Sequence, residues 1–519
     1  MESLLMIDEG KLFILSLIAI LYFIKILKFN KLEKKEAKTA LFTFITFVIS
    51  LSLLYYLKTF FNPSHLFNII TILFSISYIF IHKKTDTYKE KQSVFFVLLN
   101  IIITYICFIS YGDVGFCQHD CRSFFDYKNQ GHLGYMGYLF YERRLPPGNP
   151  INFWCGFNPP LHYFLSVAFL RINDFLSIPA EAWLKNLQIL PCIYTSIFII
   201  YVYKIFNNVG LKKTLLTNVL FIGFAPIIII FSGSLNNDIL SIMLSTIALY
   251  YAIKWYETDK LKTLINIAIA IGLAMMTKVS SALIAVVIAV IFLIKVIKNR
   301  KDFKRYVWQF TLFAVVALPL GLWFPIRNLV LYNISPTYVQ AVPQPPHERM
   351  VEANLFERLF TFEKQDIESI NVNVEGDSPE YSILITSLKS FIIDENINYN
   401  EQKVLNIVVP MLFYVAFWIA ILFIINLIYT IINHKKINNM WLYIFMLLFI
   451  LQIISYISFC LEHPYPFTAH IRYIIPTLLS FGVITGLAAD NNKILYHINK
   501  VTLLTFTILS ILMFTNLIK

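Results

Sequence analysis

Charge is scarce in this chain. Only 14% of its residues are Asp, Glu, Lys or Arg, while 58% are apolar. A soluble domain carries roughly a quarter charged residues, so a water-exposed globule is excluded and a bilayer is the fitting solvent. Alternating apolar and polar strands are missing too, which excludes a barrel. Lipid tolerates no unpaired backbone, so the spans must be helices. The six cysteines form no metal-spaced set. Cys117, Cys121 and Cys155 share one polar stretch, where a disulfide and free thiols are both open readings. The first apolar run lacks a basic n-region and a small-residue cleavage site, so no cleaved leader is expected. No inverted repeat of the kind found in secondary transporters is evident. The net charge of +12 does not point to nucleic acid, because the Lys and Arg residues gather in short loops between apolar runs, as the positive-inside rule requires.

What is present is a series of apolar runs, each long enough to cross about 30 Å of hydrocarbon. The first three fall at about 12–29, 39–57 and 65–82, the fourth at about 93–111. The rest fall at about 184–206, 214–233, 238–254, 263–277, 280–296, 306–324, 405–431, 441–459, 473–489 and 501–518. One choice of parity makes the basic loops cytoplasmic, among them Lys31 to Lys38, Lys83 to Lys91, Lys212 and Lys213, Lys295 to Arg305, and Lys435 and Lys436. It holds only if the short apolar stretch Leu161–Leu170 lies at the membrane surface or re-enters, rather than crossing. The expected fold is an all-α polytopic transmembrane bundle of about 13–14 spans, with both termini outside. It has two long outer loops, the first containing juxtamembrane helices. The organisation reads as extra N-terminal helices over 1–92, a module over 93–330 with its outer loop at 111–183, an acidic outer loop over 331–404, and C-terminal helices over 405–519.

Ionisable residues near the membrane are costly, so each is a functional hypothesis. They collect on the expected outer side. The first loop holds Asp113, His119-Asp120, Asp126, His132, Arg143-Arg144 and His162. Later span ends add Asn237-Asp238, Lys278, Arg327, His470 and Arg472. Ordinary roles compete for each. Asn237 and Asp238 suit a helix cap, the favoured reading for that pair. Arg327 and Arg472 suit interfacial anchoring. Pro159-Pro160 suits the opening of a helix, and Tyr135, Tyr138, Tyr141, Phe153 and Trp154 suit an aromatic belt. A divalent metal on His119, Asp120, His132 and His162 has no known ligand spacing behind it, so the site is read as metal-free, with a divalent ion as the lesser alternative.

An ordered set of these motifs resembles the polytopic GT-C glycosyltransferases, in the branch of protein O-mannosyltransferases and aminoarabinose transferases. The set comprises His119-Asp120 after an outward span, Gly131-His132 with Tyr138-Leu139 and Leu145-Pro146, and Asn158-Pro159-Pro160-Leu161-His162-Tyr163. It continues with Asn237-Asp238, Thr277-Lys278, Arg327-Asn328, and Arg472-Tyr473 with Pro476. The likeness covers roughly 112–476, and the first three spans are additional to it. It implies a hexose-type sugar carried on a polyprenyl phosphate and moved to an acceptor hydroxyl on a glycan, lipid or protein, in an inverting transfer outside the membrane. Such a transfer needs a carboxylate base, for which Asp120 is the candidate. The departing lipid phosphate needs cations, for which Arg327, Arg472 and Lys278 are candidates. His119, His132, His162, Asn237, Asp238 and His470 are candidate substrate contacts. Expected partners are membrane lipid, the lipid-linked donor and the acceptor, with no nucleic acid. The expected location is a bacterial cytoplasmic membrane, or the endoplasmic reticulum in a eukaryote. Two other classes compete: a transporter or flippase for a lipid-linked glycan, and a surface-polysaccharide polymerase or ligase. The first calls for mid-membrane charge and internal symmetry, the second for catalytic Arg and His in the late loop.

Overall fold

The computed structural model describes residues 87–111, 123–126, 131–153, 155–336, 338, 353–361, 370, 381–393 and 404–517. The described residues form an all-helical polytopic bundle without strands. Seven of their helices are long and apolar enough to cross a membrane, and three shorter apolar helices accompany them. The first three expected spans lie outside the described residues.

The chain enters as α1 (Thr87–Tyr111). Two short helices, α2 (Gly131–Glu142) and α3 (Leu161–Phe175), then pack on each other. α3 has 15 residues, about 22 Å of helix at 1.5 Å per residue, too short to cross. It opens as its prolines suggest, with Pro160 at the N-cap and the Pro160 carbonyl accepting from the Phe164 N–H at 2.9 Å. The chain continues with α4 (Ile189–Val209), α5 (Leu215–Gly223), α6 (Pro226–Phe231), α7 (Asp238–Thr258), α8 (Leu261–Met275), α9 (Ala282–Lys298) and α10 (Phe303–Tyr332), of which α4, α7, α9 and α10 are long and apolar enough to cross. Within the late loop lie α11 (Leu355–Phe360) and α12 (Ile383–Ile392), and after it come α13 (Leu405–Ile432), α14 (Met440–Glu462), α15 (Thr477–Asn491) and α16 (Lys493–Leu517).

Two expectations are corrected. The span at 214–233 is two helices, because Pro226 lacks an amide N–H and restarts the chain at the first turn of α6. Both halves are wholly buried, so other helices rather than lipid surround the break. The span at 473–489 begins later: residues Ile471–Ile474 form a 3-10 turn, and α15 starts at Thr477, behind Pro476. The late acidic loop also holds apolar structure. α12 is buried along most of its length, with Phe391 packed against Phe221 and Phe506 in the bundle core.

Helices alternate in direction, so the bundle has two ends. α7 runs from Asp238 to Asp259, α8 returns to Met276, α9 runs away again to Lys298, and α10 comes back to Arg327. Lys254, Lys260, Lys295, Lys298 and Arg305 therefore share one end, while Asn237, Asp238, Lys278 and Arg327 share the other. α8 and α10 cross closely at two small residues. A Cβ built on Gly272 would stand 2.8 Å from the Leu320 Cβ, and one on Gly321 would stand 3.2 Å from the Met275 Cβ. Small residues let helix backbones approach where lipid gives no hydrophobic drive to associate. Four residues beyond Gly272, the same helix delivers Met276, Thr277 and Lys278.

Candidate functional site

At the end of the bundle away from the basic loops, two turns face each other. One is Asn236-Asn237-Asp238 entering α7, the other Thr277-Lys278 leaving α8. The Asn237 Nδ2 donates to the Thr277 carbonyl at 3.1 Å. The Asp238 carboxylate accepts from the Lys278 ammonium in an ion pair. Below them, the hydroxyls of Ser241 and Ser281 are 2.6 Å apart. The capping reading of Asn237 and Asp238 is thereby corrected. Asn237 stands at the N-cap position of α7 but makes no capping bond with its side chain. The neighbouring Asn236 does that work, its Oδ1 accepting from the Asp238 N–H at 3.1 Å.

The Asp238 side chain is only 6% exposed and that of Lys278 is 24% exposed. A buried carboxylate without a cation is strongly disfavoured, so the pair is held together by mutual need. Lys278 also stands 5.1 Å from the centre of the Tyr473 ring. Arg472 joins at the same ring: its guanidinium is 4.8 Å from the ring centre and donates to the Tyr473 hydroxyl at 2.8 Å. His470 fixes this turn, its Nδ1 accepting the Arg472 backbone N–H at 3.1 Å. The late-loop helix α12 braces it from the other side, with the Ser390 hydroxyl accepting the Ile471 N–H at 3.0 Å.

The first-loop helices bring histidines to the same place. The Leu161 N–H at the start of α3 donates to the Met276 carbonyl at 3.2 Å, tying α3 to the Lys278 turn. His132 Nδ1 lies 2.8 Å from the Tyr163 hydroxyl, and Tyr163 packs against Tyr135 with ring centres 4.2 Å apart. Burial drives the His132 pKa down to about 3, reinforced by His162, Arg472 and Lys278 and opposed by Asp238. His162 falls to about 4, again from burial, with the Leu235 backbone and Asp238 opposing. Both imidazoles stand against Tyr163, their ring centres 5.9 Å (His132) and 5.4 Å (His162) from its own. Their lowered pKa values leave both histidines neutral at pH 7 and able to donate through one ring nitrogen and accept through the other.

Arg327, near the end of α10, donates to the Asn328 Oδ1 at 2.9 Å. It lies 5.3 Å and 5.6 Å from the ring centres of Tyr332 and Phe324. Thus His132, His162, Asn237, Asp238, Lys278, His470 and Arg472 converge, with Arg327 at the edge. Asp120 and His119 lie outside the described residues, as do Asp113, Cys117, Cys121 and Trp154. Asp126 is exposed, with its N–H donating to the Ser123 hydroxyl. Cys155 is buried, and the Cys117 and Cys121 that a disulfide reading would pair with it lie outside the described residues. Among the described residues, no group of three His, Cys, Asp or Glu side chains is placed to hold a metal ion.

In the sequence Tyr163, Tyr473 and Asn236 stand beside candidate residues with no role of their own, and Ser390 is not singled out at all. Tyr163 partners a histidine 31 positions away and Ser390 an amide 81 positions away, and no local spacing encodes either. Asn236 carried a signal, since an Asn two residues before a helical position is a common Asx turn.

A polytopic helical bundle with half-buried cations and a buried carboxylate at one rim defines a membrane protein with a built polar site. Residues 158–323 match the family model of dolichyl-phosphate-mannose-protein mannosyltransferase. The likeness to membrane glycosyltransferases of the mannosyltransferase type is thus found independently over α3 to α10, the stretch that contributes His162, Asn237, Asp238 and Lys278. A search of curated proteins found no match.

Proposed function

We propose that this protein transfers a hexose-type sugar from a polyprenyl phosphate to an acceptor hydroxyl, at the end of the bundle opposite the basic loops. By the positive-inside rule that end faces away from the cytoplasm. The observation that supports this most is the convergence of Lys278 and Arg472 on one aromatic ring, Tyr473, beside the buried Asp238. Two cations at a membrane rim suit a phosphate carried on a lipid.

In the reaction, the acceptor oxygen attacks the anomeric carbon from the face opposite the phosphate. The new C–O bond forms as the bond from the anomeric carbon to the phosphate oxygen breaks. The acceptor's proton passes to a carboxylate, which we assign to Asp120. The electron pair of the broken bond stays on the phosphate oxygen, where the charges of Arg472 and Lys278, with Arg327 nearby, stabilise it. Neutral His132 and His162 suit hydrogen bonding to sugar hydroxyls at any pH above about 5. Asp238 holds Lys278 in place.

Turnover of a panel of polyprenyl-phosphate sugars by the purified protein, beside Asp120→Asn, tests the reading. Release of polyprenyl phosphate by the parent, lost in the variant, is the expected result. Release by both moves the base to Asp113 or Asp126. No release by either, with folded protein and several acceptors present, overturns the assignment.

A further inference from the structure

Beside this site, α2, the turn that follows it and α3 flank an open hollow of about 360 Å³, lined by Leu139, Arg143, Arg144, Leu145, Phe164, Val167 and Arg171. Its size falls within the range of small-ligand sites. Its walls join three guanidinium groups to aliphatic and aromatic side chains, an arrangement that none of the steps above uses.

The three arginines differ in how they are held. Arg171, on α3, donates to the Phe140 carbonyl, lies 3.8 Å from the centre of the Phe140 ring, and stands 3.6 Å from Asp174. That places one guanidinium firmly in the wall. Arg144 has only a long, solvent-exposed approach to Glu142 at 3.9 Å, a contact worth little in water. Arg143 has no acidic partner among the described residues. Its backbone sits in the left-handed region at φ 55°, an uncommon conformation for a side chain other than Gly, Asn or Asp. It directly follows the last turn of α2, with its N–H donating to the Leu139 carbonyl at 3.2 Å. Three cations against the carboxylates of Glu142 and Asp174 leave the cavity net positive.

The surroundings are greasy. α3 exposes Phe164, Leu165, Ile172, Phe175 and Leu176, the last two at 87% and 58%. A short helix with an exposed apolar face beside a cationic cluster is the pattern of a segment lying in the membrane interface.

We propose that this cavity is a binding site for an anionic phospholipid, with the headgroup phosphate against Arg143, Arg144 and Arg171 and the acyl chains along Phe164 and Val167. Charge complementarity selects the headgroup. The apolar lining selects a lipid over a free anion. The occupant is a bulk lipid rather than the sugar carrier, because the arginines here are separate from the cations assigned to the donor.

Native mass spectrometry of the full protein, released from phosphatidylcholine micelles or from micelles doped with phosphatidylglycerol, tests this. The parent is expected to retain one phosphatidylglycerol at least tenfold more tightly than phosphatidylcholine. The double variant Arg143→Ala, Arg144→Ala is expected to lose that preference, since each basic residue near a lipid surface contributes several-fold. Arg171 is left intact because it braces α2. Equal retention of both lipids by the parent overturns the proposal, as does an unchanged preference in a folded double variant. Displacement of the lipid by millimolar inorganic phosphate overturns the lipid as occupant in favour of a simple anion site. Retention of polyprenyl phosphate but not phosphatidylglycerol reassigns the cavity to the sugar carrier.

Discussion

The two ends of the bundle use charge in opposite ways. At the end with the basic loops, charges are numerous and mostly exposed, the Arg305–Asp259 ion pair being the closely held exception. Lys254 meets Glu257 at 3.4 Å with both side chains more than a third exposed, and Lys298 reaches the Tyr256 hydroxyl. Even the better-held groups there, such as the backbone N–H of Lys212 and Lys213 donating to Asp490 at 2.9 and 2.8 Å, lie in exposed surroundings. Around Asp238, at the other end, the charges are few and largely enclosed, while Arg143 and Arg144 of the first loop stay exposed. Asp238 is met by Lys278, Lys278 by Tyr473, and Arg472 by Tyr473, on a turn that His470 and Ser390 brace. Exposed charge of one sign sets orientation in the membrane and needs no exact geometry. Enclosed charge costs desolvation and is retained where geometry does something, which is why the buried end is the one to read for chemistry.

Lys278→Met leaves the Asp238 carboxylate buried without a cation, a change that costs roughly 3–5 kcal/mol. The expected result is a large loss of thermal stability in detergent together with loss of sugar transfer. A variant that keeps parental stability would mean that the pair is solvated and unimportant.

Acid sharpens the contrast between the two ends next. His132 and His162 have folded pKa values of about 3 and about 4, below the unfolded value near 6.5. As pH falls below about 6.5 the unfolded chain takes up protons that the folded chain refuses, so stability is fully present above that pH and declines below it. Between pH 6.5 and 5, before most carboxylates titrate, the decline is expected to be shallower in His162→Gln than in the parent. Identical slopes would show that His162 is charged or solvated in the folded protein.

The smallest effect belongs to the other end. Lys254→Ala is expected to change stability by no more than about 0.5 kcal/mol, as exposed helix pairs do. A loss matching that of Lys278→Met would erase the distinction between the two ends.

Much of this was legible in the sequence, for identifiable reasons. Helices over 184–206, 238–254 and 280–296 follow from long apolar runs, and the grouping of Lys254, Lys295 and Arg305 from their alternation. The short α3 announced itself by its proline pair and its length. Residues flanking span ends, such as Lys278 and Arg472, stood out because charge there is rare. What stayed hidden was pairing. That Asp238 meets Lys278, 40 residues on, depends on the crossing of α8 near Gly272, and single-sequence periodicity carries no register between helices. The break at Phe224-Ala225 was passed over because a run of isoleucines around one proline reads as continuous. The burial of α12 was masked by the acidic residues that surround it in the chain.

The most direct test of the central claim removes both charges together. In Asp238→Asn, Lys278→Met no lone ion is left buried, so the protein is expected to fold nearly as well as the parent. If the pair serves lipid-linked sugar transfer, polyprenyl phosphate release by the double variant in nanodiscs falls at least about a hundredfold, as loss of a preorganised charge at a departing group does. Release within twofold of the parent, from protein of parental stability, would contradict a site built on Lys278 and return the pair to a structural role.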